Sequence, residues 1–341
     1  MNGRRDNPGL LTMLRAVTAA QLCLLVGLMA VVEVLGAVLP PFDAATHLAP
    51  LWIALAVLGA VLAQGAMLSP RARRMVSVAA GLALVVNLGL MAPEYLRPIP
   101  GPTSKEAARK DAAKPTRIAT FNLYRDNVHI GETAGVVAAS GADIVLLQEA
   151  EGRAAAVPGR VRSLYPFQAT CPAVLECGLV VLSKRPIAAS GWKVPDWTSW
   201  TGNRVSLMWA KTLDANGKPV TVVTTHLGWP FPSSASRRQT DHLIAFMKGV
   251  PDKDVILTGD FNLTPWSFAL RRVDGALPTL IRRTRAAWSW PARVPRLDRP
   301  APVPLLPIDQ IYVGKGWRSL PVKRLTRAGS DHFGLMVDLY R

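Results

Sequence analysis

Cysteine is scarce in this chain, with three among 341 residues. Cys171 and Cys177 lie close together in TCPAVLECG, whereas Cys23 lies in a long apolar run. Because there is no second cysteine pair, the sequence gives no sign of a zinc site. An oxidising compartment favours a small disulfide loop between Cys171 and Cys177, and the cytosol favours two unpaired thiols. The pairing therefore depends on where this part of the chain lies.

Acidic residues are also few. Asp and Glu number 23 against 40 Lys and Arg, so the formal net charge is +17. Residues 101–341 contain 33 basic and 19 acidic residues, which places a net charge of +14 in this part of the chain. A basic surface favours polyanions or anionic membranes as partners and does not decide between them.

Long apolar runs are present in the first 92 residues, at 16–39, 51–68 and 75–92. Each is 18 to 24 residues long with at most one charged residue, which matches the roughly 20 residues needed to span a bilayer. A cleaved signal peptide is a poor alternative, because the first run is too long and two more follow. We expect residues 1–92 to form a membrane anchor of three transmembrane helices, with Glu33 at the interface or against a neighbouring helix.

Basic residues predict the orientation of these helices. The loop 40–50 has no Lys or Arg, whereas arginines precede the first run and fill the second loop, namely Arg4, Arg5, Arg15, Arg71, Arg73 and Arg74. Short loops rich in Lys and Arg face the cytoplasm. We therefore expect a multi-pass protein of the cytoplasmic (inner) membrane, with everything after residue 92 on the outer (periplasmic or extracellular) side. Basic residues that follow the third run argue against this, but long domains cross membranes regardless of charge.

A Pro-rich, charged linker is predicted at 93–116, followed by a domain at 117–341. This domain alternates apolar runs with amphipathic stretches, which favours a layered α/β fold. Helices are predicted at 132–140 and 233–250, and a hairpin at 204–227 that turns at Asn216-Gly217. The other predicted strands are 117–124, 143–149, 178–187, 254–260, 308–314 and 332–340. Residues 282–307 contain six prolines and six arginines, which predicts a long irregular loop.

Polar side chains stand at the ends of most of the predicted strands. If these ends share one edge of the fold, carboxylates, carboxamides and imidazoles converge in one cleft. Such a mixture suits phosphoryl transfer with a hard metal, because Mg²⁺ (or Mn²⁺) prefers oxygen ligands. The residues are Asn122, Gln148, Glu149, His226, Asp260, Asn262, Asp309, Asp331 and His332.

The predicted metal ligands are Glu149 with Asn122 and Asp331 nearby. The bound metal would polarise a phosphoryl oxygen and stabilise the leaving oxygen. Each residue also has a structural interpretation. Glu149 has the pattern of a capping or surface carboxylate, Asn122 that of a turn residue, and Asp331 that of a residue orienting backbone.

The remaining polar residues have predicted roles around the attacking water and the phosphate. Asp260 accepts the proton of the water while Asn262 holds its geometry. His332 donates to a phosphate oxygen, and Asp309 fixes its tautomer. His226 donates a second hydrogen bond to the phosphate. The structural alternatives are a loop in which Asp260 and Asn262 bond their own backbone, and a structural histidine at 226.

Tryptophans form two clusters in the sequence. Nucleobases stack on such rings, so single-stranded nucleic acid is one possible ligand. Tryptophan also favours membrane interfaces, and core packing is the structural alternative. The residues are Trp192, Trp197, Trp200, Trp266, Trp288 and Trp290.

Seven short motifs, TFN, QE, LSKRPI, TTHL, GDFN, IDQIYV and SDH, occur in this order over residues 116–341. Together they resemble the endonuclease/exonuclease/phosphatase superfamily. The resemblance implies a four-layer α/β sandwich with two central mixed sheets, and it implies the same site roles as above. The chain departs from the pattern of abasic-site enzymes at Tyr124, where those enzymes carry an acidic residue, and this puts a second metal ligand there in doubt.

The resulting prediction is a membrane-anchored phosphoesterase with a catalytic domain at 117–341. It most resembles a nuclease-like phosphodiesterase that hydrolyses its substrate by in-line attack of water. One alternative is a phospholipid or head-group phosphodiesterase, and another is a catalytically silent polyanion-binding module. The expected partners are a phosphate ester, nucleic acid or phospholipid, and the membrane. The sequence does not identify protein partners.

Overall fold

The computed structural model describes residues 9–99, 114–172, 177–193, 207–250, 253–294 and 297–341. The chain divides into two compact units. One comprises Met1–Leu96 with Trp266–Phe268, and the other comprises Arg97–Pro265 with Ala269–Arg341. Residues 100–113 of the predicted linker lie outside the described residues, as do Trp197 and Trp200.

The first unit is helical. Its elements are α1 (Leu10–Leu35), a 3₁₀ turn (Pro40–Phe42), α2 (Asp43–Thr46), α3 (Ala49–Gln64) and α4 (Pro70–Leu96). Two helices, α1 and α4, are long and apolar enough to cross a membrane. The segment Pro40–Thr46 and α3 pass the same test only as a pair bent by 61°. Helix α3 therefore begins two residues before the sequence-predicted run 51–68 and ends four residues before the end of that run.

Small residues form the buried contacts among these helices. A Cβ added at Gly27 of α1 would lie 2.9 Å from Cβ of Ala79 in α4, so glycine permits this close approach. Glu33 is fully buried and accepts a hydrogen bond of 2.9 Å from Nδ2 of Asn87. Glu33 therefore faces a neighbouring helix, as one of the two sequence-based expectations stated. The other buried residues of this bundle include Ala19, Cys23, Ala30, Ala56, Ala80 and Ala83.

The second unit contains fifteen strands and four helices within its described residues. In chain order these are β1 (Thr116–Asn122), α5 (Ile130–Ala139), β2 (Ile144–Gln148), α6 (Val157–Arg160), β3 (Phe167–Thr170), β4 (Val180–Ser183), β5 (Ala189–Lys193), β6 (Leu207–Leu213), β7 (Pro219–His226), α7 (Ser233–Lys248), β8 (Ile256–Asp260), α8 (Phe268–Ala276), β9 (Leu280–Arg282), β10 (Arg293–Val294), β11 (Arg299–Pro300), β12 (Asp309–Gly314), β13 (Arg318–Ser319), β14 (Lys323–Arg324) and β15 (Leu335–Tyr340).

Two mixed sheets are built on the same plan. The first has the order β13-β15-β1-β2-β4-β3, with β14 also paired to β15, and the second has the order β5-β6-β7-β8-β12-β9. Each contains one parallel pair, β1 with β2 and β7 with β8, flanked by antiparallel neighbours. The predicted hairpin at 204–227 is present as β6 and β7.

Three apolar clusters hold these sheets and helices in layers. One lies between the two sheets and contains Ile118, Leu146, Val222 and Ile256. A second packs the first sheet against α5 and α6, and a third packs the second sheet against α7 and α8. The order helix, sheet, sheet, helix is the four-layer α/β sandwich that the resemblance implied, and the prediction is confirmed.

The segment 282–307 is not wholly irregular. Its strands β10 and β11 pair as a short ribbon, and Trp290 forms a bridge to Leu306. The prediction of a long loop was wrong in this respect, because two-residue strands leave no alternating pattern in the sequence. Cys171 and Cys177, whose pairing the sequence left open, are joined as a disulfide.

Candidate active site

Strand alternation places the predicted site residues on one face. In β1, Ile118 belongs to the cluster between the sheets, and Asn122 stands four residues later on the same face. In β8, Ile256 and Asp260 have the same relationship, as do Val222 and His226 in β7. The space between the sheets is therefore apolar along most of its length and polar at one end.

Pairing register brings these strand ends together within the second sheet. His226 is the parallel partner of Asp260, and Asp260 is the antiparallel partner of Asp309. In the first sheet Asn122 is the parallel partner of Gln148. Because carboxyl ends of parallel strands lie at the same edge, both sheets contribute polar groups at the same end of the sandwich.

A buried layer of uncharged polar residues separates this end from the apolar core. Gln148 donates Nε2 to Oγ1 of Thr224 at 2.8 Å and to Oγ1 of Thr120 at 3.1 Å. All three residues are buried. Gln148 thereby links the two sheets by hydrogen bonds directly beneath the charged groups.

Asn122 connects two carboxylates. Its Nδ2 donates to Oε1 of Glu149 at 2.9 Å and to Oδ2 of Asp260 at 3.0 Å, while its Oδ1 accepts the backbone N–H of Tyr124. In this orientation the amide nitrogen faces the site, and a nitrogen that donates two hydrogen bonds is not a metal ligand. Asn122, predicted as a metal ligand, here orients Glu149 and Asp260, and only its Oδ1 has the chemistry of a ligand.

Glu149 has a strained backbone and a well-defined side chain. Its φ angle is +51°, which is uncommon for a residue with a side chain. Gly178 lies behind it, since a Cβ there would be 3.1 Å from Cα of Glu149. Burial raises the pKa of Glu149, but the charge of His226 and the hydrogen bonds from Arg125 N–H and Asn122 outweigh it. The net pKa lies below the ordinary 4.5, so Glu149 is ionised.

Asp309, His332 and Asp260 form a buried chain of hydrogen-bonding groups. Nδ1 of His332 lies 2.8 Å from Oδ2 of Asp309, and its Nε2 lies 3.5 Å from Oδ2 of Asp260. Burial lowers the pKa of His332, but Asp309, Asp260 and Asp331 together raise it well above 6.5. Burial, partly offset by His332, raises the pKa of Asp260 to about 6. His332 and Asp260 thus place a protonated imidazole beside a carboxylate whose pKa lies near neutrality.

His226 lies on the other side of the same carboxylate. Its Nε2 is 3.6 Å from Oδ2 of Asp260 and 3.7 Å from Oε1 of Glu149. Asn262 lies beyond Asp260, with a φ of +51°, and donates its backbone N–H to Oδ1 of Asp260 at 2.8 Å. Nδ2 of Asn262 bonds the carbonyl of Leu227 at 2.7 Å. The loop interpretation of Asp260 and Asn262 is thus partly correct, since one carboxylate oxygen bonds backbone while the other faces the site.

Asp331 is held by residues that the sequence did not predict. Nε1 of Trp290 donates to Oδ2 of Asp331 at 3.0 Å, and the ring of Trp229 contacts Trp290 edge to face at 6.0 Å. The backbone N–H of Ala292 bonds the carbonyl of Asp331. Ser330 also supports this segment, since its hydroxyl donates to the carbonyl of Asn122 at 2.7 Å. Trp290 lay in a cluster noted for stacking, but no pattern in the sequence predicts its contact with Asp331.

Comparison with known proteins identifies the family of this chain. The sequence model of the Endonuclease/Exonuclease/phosphatase family matches residues 119–332, which is more than half of the chain. The chain belongs to this family. Membership places it among phosphoesterases. A comparison with curated proteins gives no match.

Solved structures of this family share the fold. Sphingomyelinase C from Streptomyces griseocarneus is 18% identical with a TM-score of 0.52, over 66% of this chain and 99% of that one. TDP2 from D. rerio, complexed with a single-strand DNA product, is 17% identical with a TM-score of 0.54, over 67% and 100%. A beta toxin mutant from Staphylococcus aureus with bound magnesium ions is 15% identical with a TM-score of 0.50, over 66% and 99%.

Two groups of side chains offer donors for a cation in this family member. Asp260, Asp309 and His332 present ligand atoms within 4.8 Å of one another, but Asp309 and His332 are already joined by a hydrogen bond. Asp331 differs, because its Oδ1 is buried and has no hydrogen-bond partner in the part of the chain that the structure describes. Burial and then the charge of Glu149 raise the pKa of Asp331, against the lowering effect of His332. Asp331 and the ionised Glu149 offer oxygen donors of the kind that a hard divalent cation prefers.

Proposed function

We propose that the chain is a divalent-metal-dependent phosphodiesterase that hydrolyses its substrate by attack of water. The observation that carries this proposal is the position of Oδ2 of Asp260. It lies within 3.6 Å of both His332 Nε2 and His226 Nε2, and it accepts a hydrogen bond from Asn122. A carboxylate with a pKa near the working pH is an effective general base.

Each polar residue around the attacking water and the phosphate has a separate role in the proposed reaction. Asp260 accepts a proton from the attacking water, and Asn262 fixes the orientation of Asp260 through its backbone N–H. His332, held protonated by Asp309, donates a hydrogen bond to a non-bridging phosphate oxygen and stabilises the charge that develops there. His226 donates a second hydrogen bond to the phosphate.

Glu149 and Asp331 are the proposed metal ligands, and Asn122 would join them through Oδ1 only with its amide group turned over from the orientation described above. Mg²⁺ or Mn²⁺ bound there would polarise the phosphoryl group and neutralise charge on the leaving oxygen. Trp290 keeps Asp331 in place through its indole N–H, which is the task of outer-shell partners at metal sites. Asn122 keeps Glu149 in place in the same way.

The substrate class has two candidates. The basic chain favours a nucleic acid, and TDP2, a family member, was solved with a single-strand DNA product. A phospholipid is the second candidate, and exposed aromatic side chains beside the site favour it. Trp229 and Phe231, which follow His226 by three and five residues, are 58% and 70% exposed. Exposed rings near a membrane insert at its interface.

We also propose that three spans anchor the chain in the cytoplasmic membrane, namely the bent pair of Pro40–Thr46 with α3 and the two long helices α1 and α4, with the catalytic domain on the outer side. The two helices have the required length and hydropathy. The arginine-rich short loops support this orientation. The disulfide between Cys171 and Cys177 is also consistent with an oxidising compartment.

Comparing a phosphodiester with a phosphomonoester tests the proposed reaction. The full chain should hydrolyse bis(p-nitrophenyl) phosphate faster than p-nitrophenyl phosphate in the presence of Mg²⁺. Single-stranded DNA, RNA and phospholipid vesicles then distinguish the two substrate classes. Exclusive turnover of the monoester would contradict a phosphodiesterase, and binding of all these substrates without any turnover would indicate the silent polyanion-binding module.

A further inference from the structure

The outer face of the second sheet is only partly covered by helices. Helix α7 packs Leu243 and Met247 over Leu207 and Val223, in the third apolar cluster. Towards the edge strand β5 this cover ends, and a groove of about 1130 Å³ remains. The groove is therefore formed by the uncovered part of a sheet face.

Trp209 forms the floor of this groove. Its partner across the β5–β6 pair is Gly191, and a Cβ at Gly191 would lie 2.9 Å from the indole atoms. The indole thus occupies the space over the edge strand that a side chain would otherwise fill. Trp192, which is 38% exposed, and Phe246 of α7 line the same groove. The backbone of the sheet therefore holds the indole of Trp209 in place on the floor of the groove.

Four lysines surround this aromatic floor: Lys193, Lys211, Lys218 and Lys253. All four are exposed, and none has an ion-pair partner within the described part of the chain. The acidic side chain that lines the groove, Asp254, pairs with Arg341 at 2.8 Å. The groove thus combines an apolar floor with an excess of positive charge that the described acidic groups do not neutralise.

The groove is separate from the candidate active site. Residues Pro219–Thr221, at the start of β7, line the groove, whereas His226 ends the same strand. A strand rises about 3.3 Å per residue, so the two ends of this eight-residue strand are roughly 23 Å apart. A ligand in the groove does not reach Asp260 or His332.

We propose that this groove binds the headgroup and glycerol region of an anionic phospholipid. The lysine ammonium groups contact the phosphate, and Trp192 and Trp209 contact the apolar part below it, which is the usual position of tryptophan at a lipid interface. A single-stranded nucleic acid fits less well, because a strand bound in the groove at the start of β7 would lie away from the candidate active site at the end of β7. The chain also carries helices long and apolar enough for a bilayer, and the membrane anchor proposed above would bring the chain into contact with such lipids.

Calorimetric titration of the full chain in an uncharged detergent tests this inference. The probes are dihexanoyl phosphatidylglycerol and dihexanoyl phosphatidylcholine. Phosphatidylglycerol should bind more tightly, and the Lys211→Glu/Lys218→Glu variant should lose about tenfold or more of that affinity. The matched control is Lys114→Glu/Lys323→Glu, which makes the same change of charge at exposed lysines outside the groove. It should keep the affinity within about twofold.

Three results would overturn the inference. The first is equal affinity for the two lipids. The second is an equal loss of phosphatidylglycerol binding in both double variants, which would mean that only total charge matters. The third is a deoxythymidine oligonucleotide that binds the chain, depends on Lys211 and Lys218, and leaves no saturable lipid binding. None of these results depends on catalytic turnover, so the inference stands or fails separately from the proposed function.

Discussion

Nδ1 of His332 lies 2.8 Å from Oδ2 of Asp309, and both side chains are buried. Asp309 opens β12 of the second sheet, whereas His332 precedes β15 of the first. This hydrogen bond therefore joins the end of one sheet to the end of the other, and no strand belongs to both sheets. It also directs Nε2 of His332 towards Asp260, at 3.5 Å.

Substituting Asp309→Asn should remove the charge that keeps His332 protonated while preserving the size of the side chain. We expect kcat to fall by about 100- to 10,000-fold, the usual contribution of a positioned acid or base. Hydrolysis of bis(p-nitrophenyl) phosphate measures this. Asp241→Asn, at an exposed carboxylate paired with Arg272, is the control and should leave kcat unchanged. An unaltered rate in Asp309→Asn would remove His332 from the mechanism.

Glu149→Gln should weaken metal binding, because it removes the charge of a proposed ligand and keeps its shape. We expect the dissociation constant for Mn²⁺ to rise by about tenfold or more, on the scale measured for lost metal partners. Electron paramagnetic resonance of free Mn²⁺ reports binding without reference to activity. Glu132→Gln, on the exposed surface of α5, serves as the control. Wild-type affinity in Glu149→Gln would place the metal elsewhere.

Trp290→Phe removes the indole N–H that holds Asp331 and keeps an aromatic ring against Trp229. We expect a loss of about 10- to 100-fold in metal affinity or activity. Mn²⁺ titration and diester hydrolysis measure the two effects. The neighbouring Trp288→Phe is the matched control. If both variants lose the same amount, the effect is packing of the segment and not orientation of Asp331.

Gly178→Ala tests the backbone support of Glu149. Both Gly178 and Gly217 have positive φ angles, +58° and +79°, but only Gly178 has neighbours within 4 Å of an added Cβ. Gly217→Ala should therefore cost only the left-handed backbone penalty, about 1–2 kcal/mol of unfolding free energy. Gly178→Ala should cost more and should also lower kcat by displacing Glu149. Denaturant titration and kinetics of the two variants separate these effects.

Local patterns predicted much of this structure. Alternation in VILTGD places Asp260 on the same face of β8 as Ile256, and that relationship does not depend on which strands pair with β8. The same reasoning holds for Asn122 and His226. The prediction that these strand ends converge is met because each sheet carries one parallel pair whose carboxyl ends point the same way.

Local patterns in the sequence did not predict the long-range contacts. The bond between Trp290 and Asp331 spans 41 residues and depends on how the segment 282–307 folds back. The groove around Trp209 depends on where helix α7 stops covering the sheet, which no local period encodes. The direction of the Asn122 amide was also unpredictable, because it is set by Glu149 and Asp260 together.

The most direct test of the proposed chemistry is metal-dependent hydrolysis of bis(p-nitrophenyl) phosphate by the full chain and by Asp260→Ala. We predict turnover with Mg²⁺ or Mn²⁺ that EDTA abolishes and added metal restores, and none above background in a folded Asp260→Ala protein. Retained, metal-dependent turnover in Asp260→Ala would contradict the assignment of Asp260 as the base that activates water.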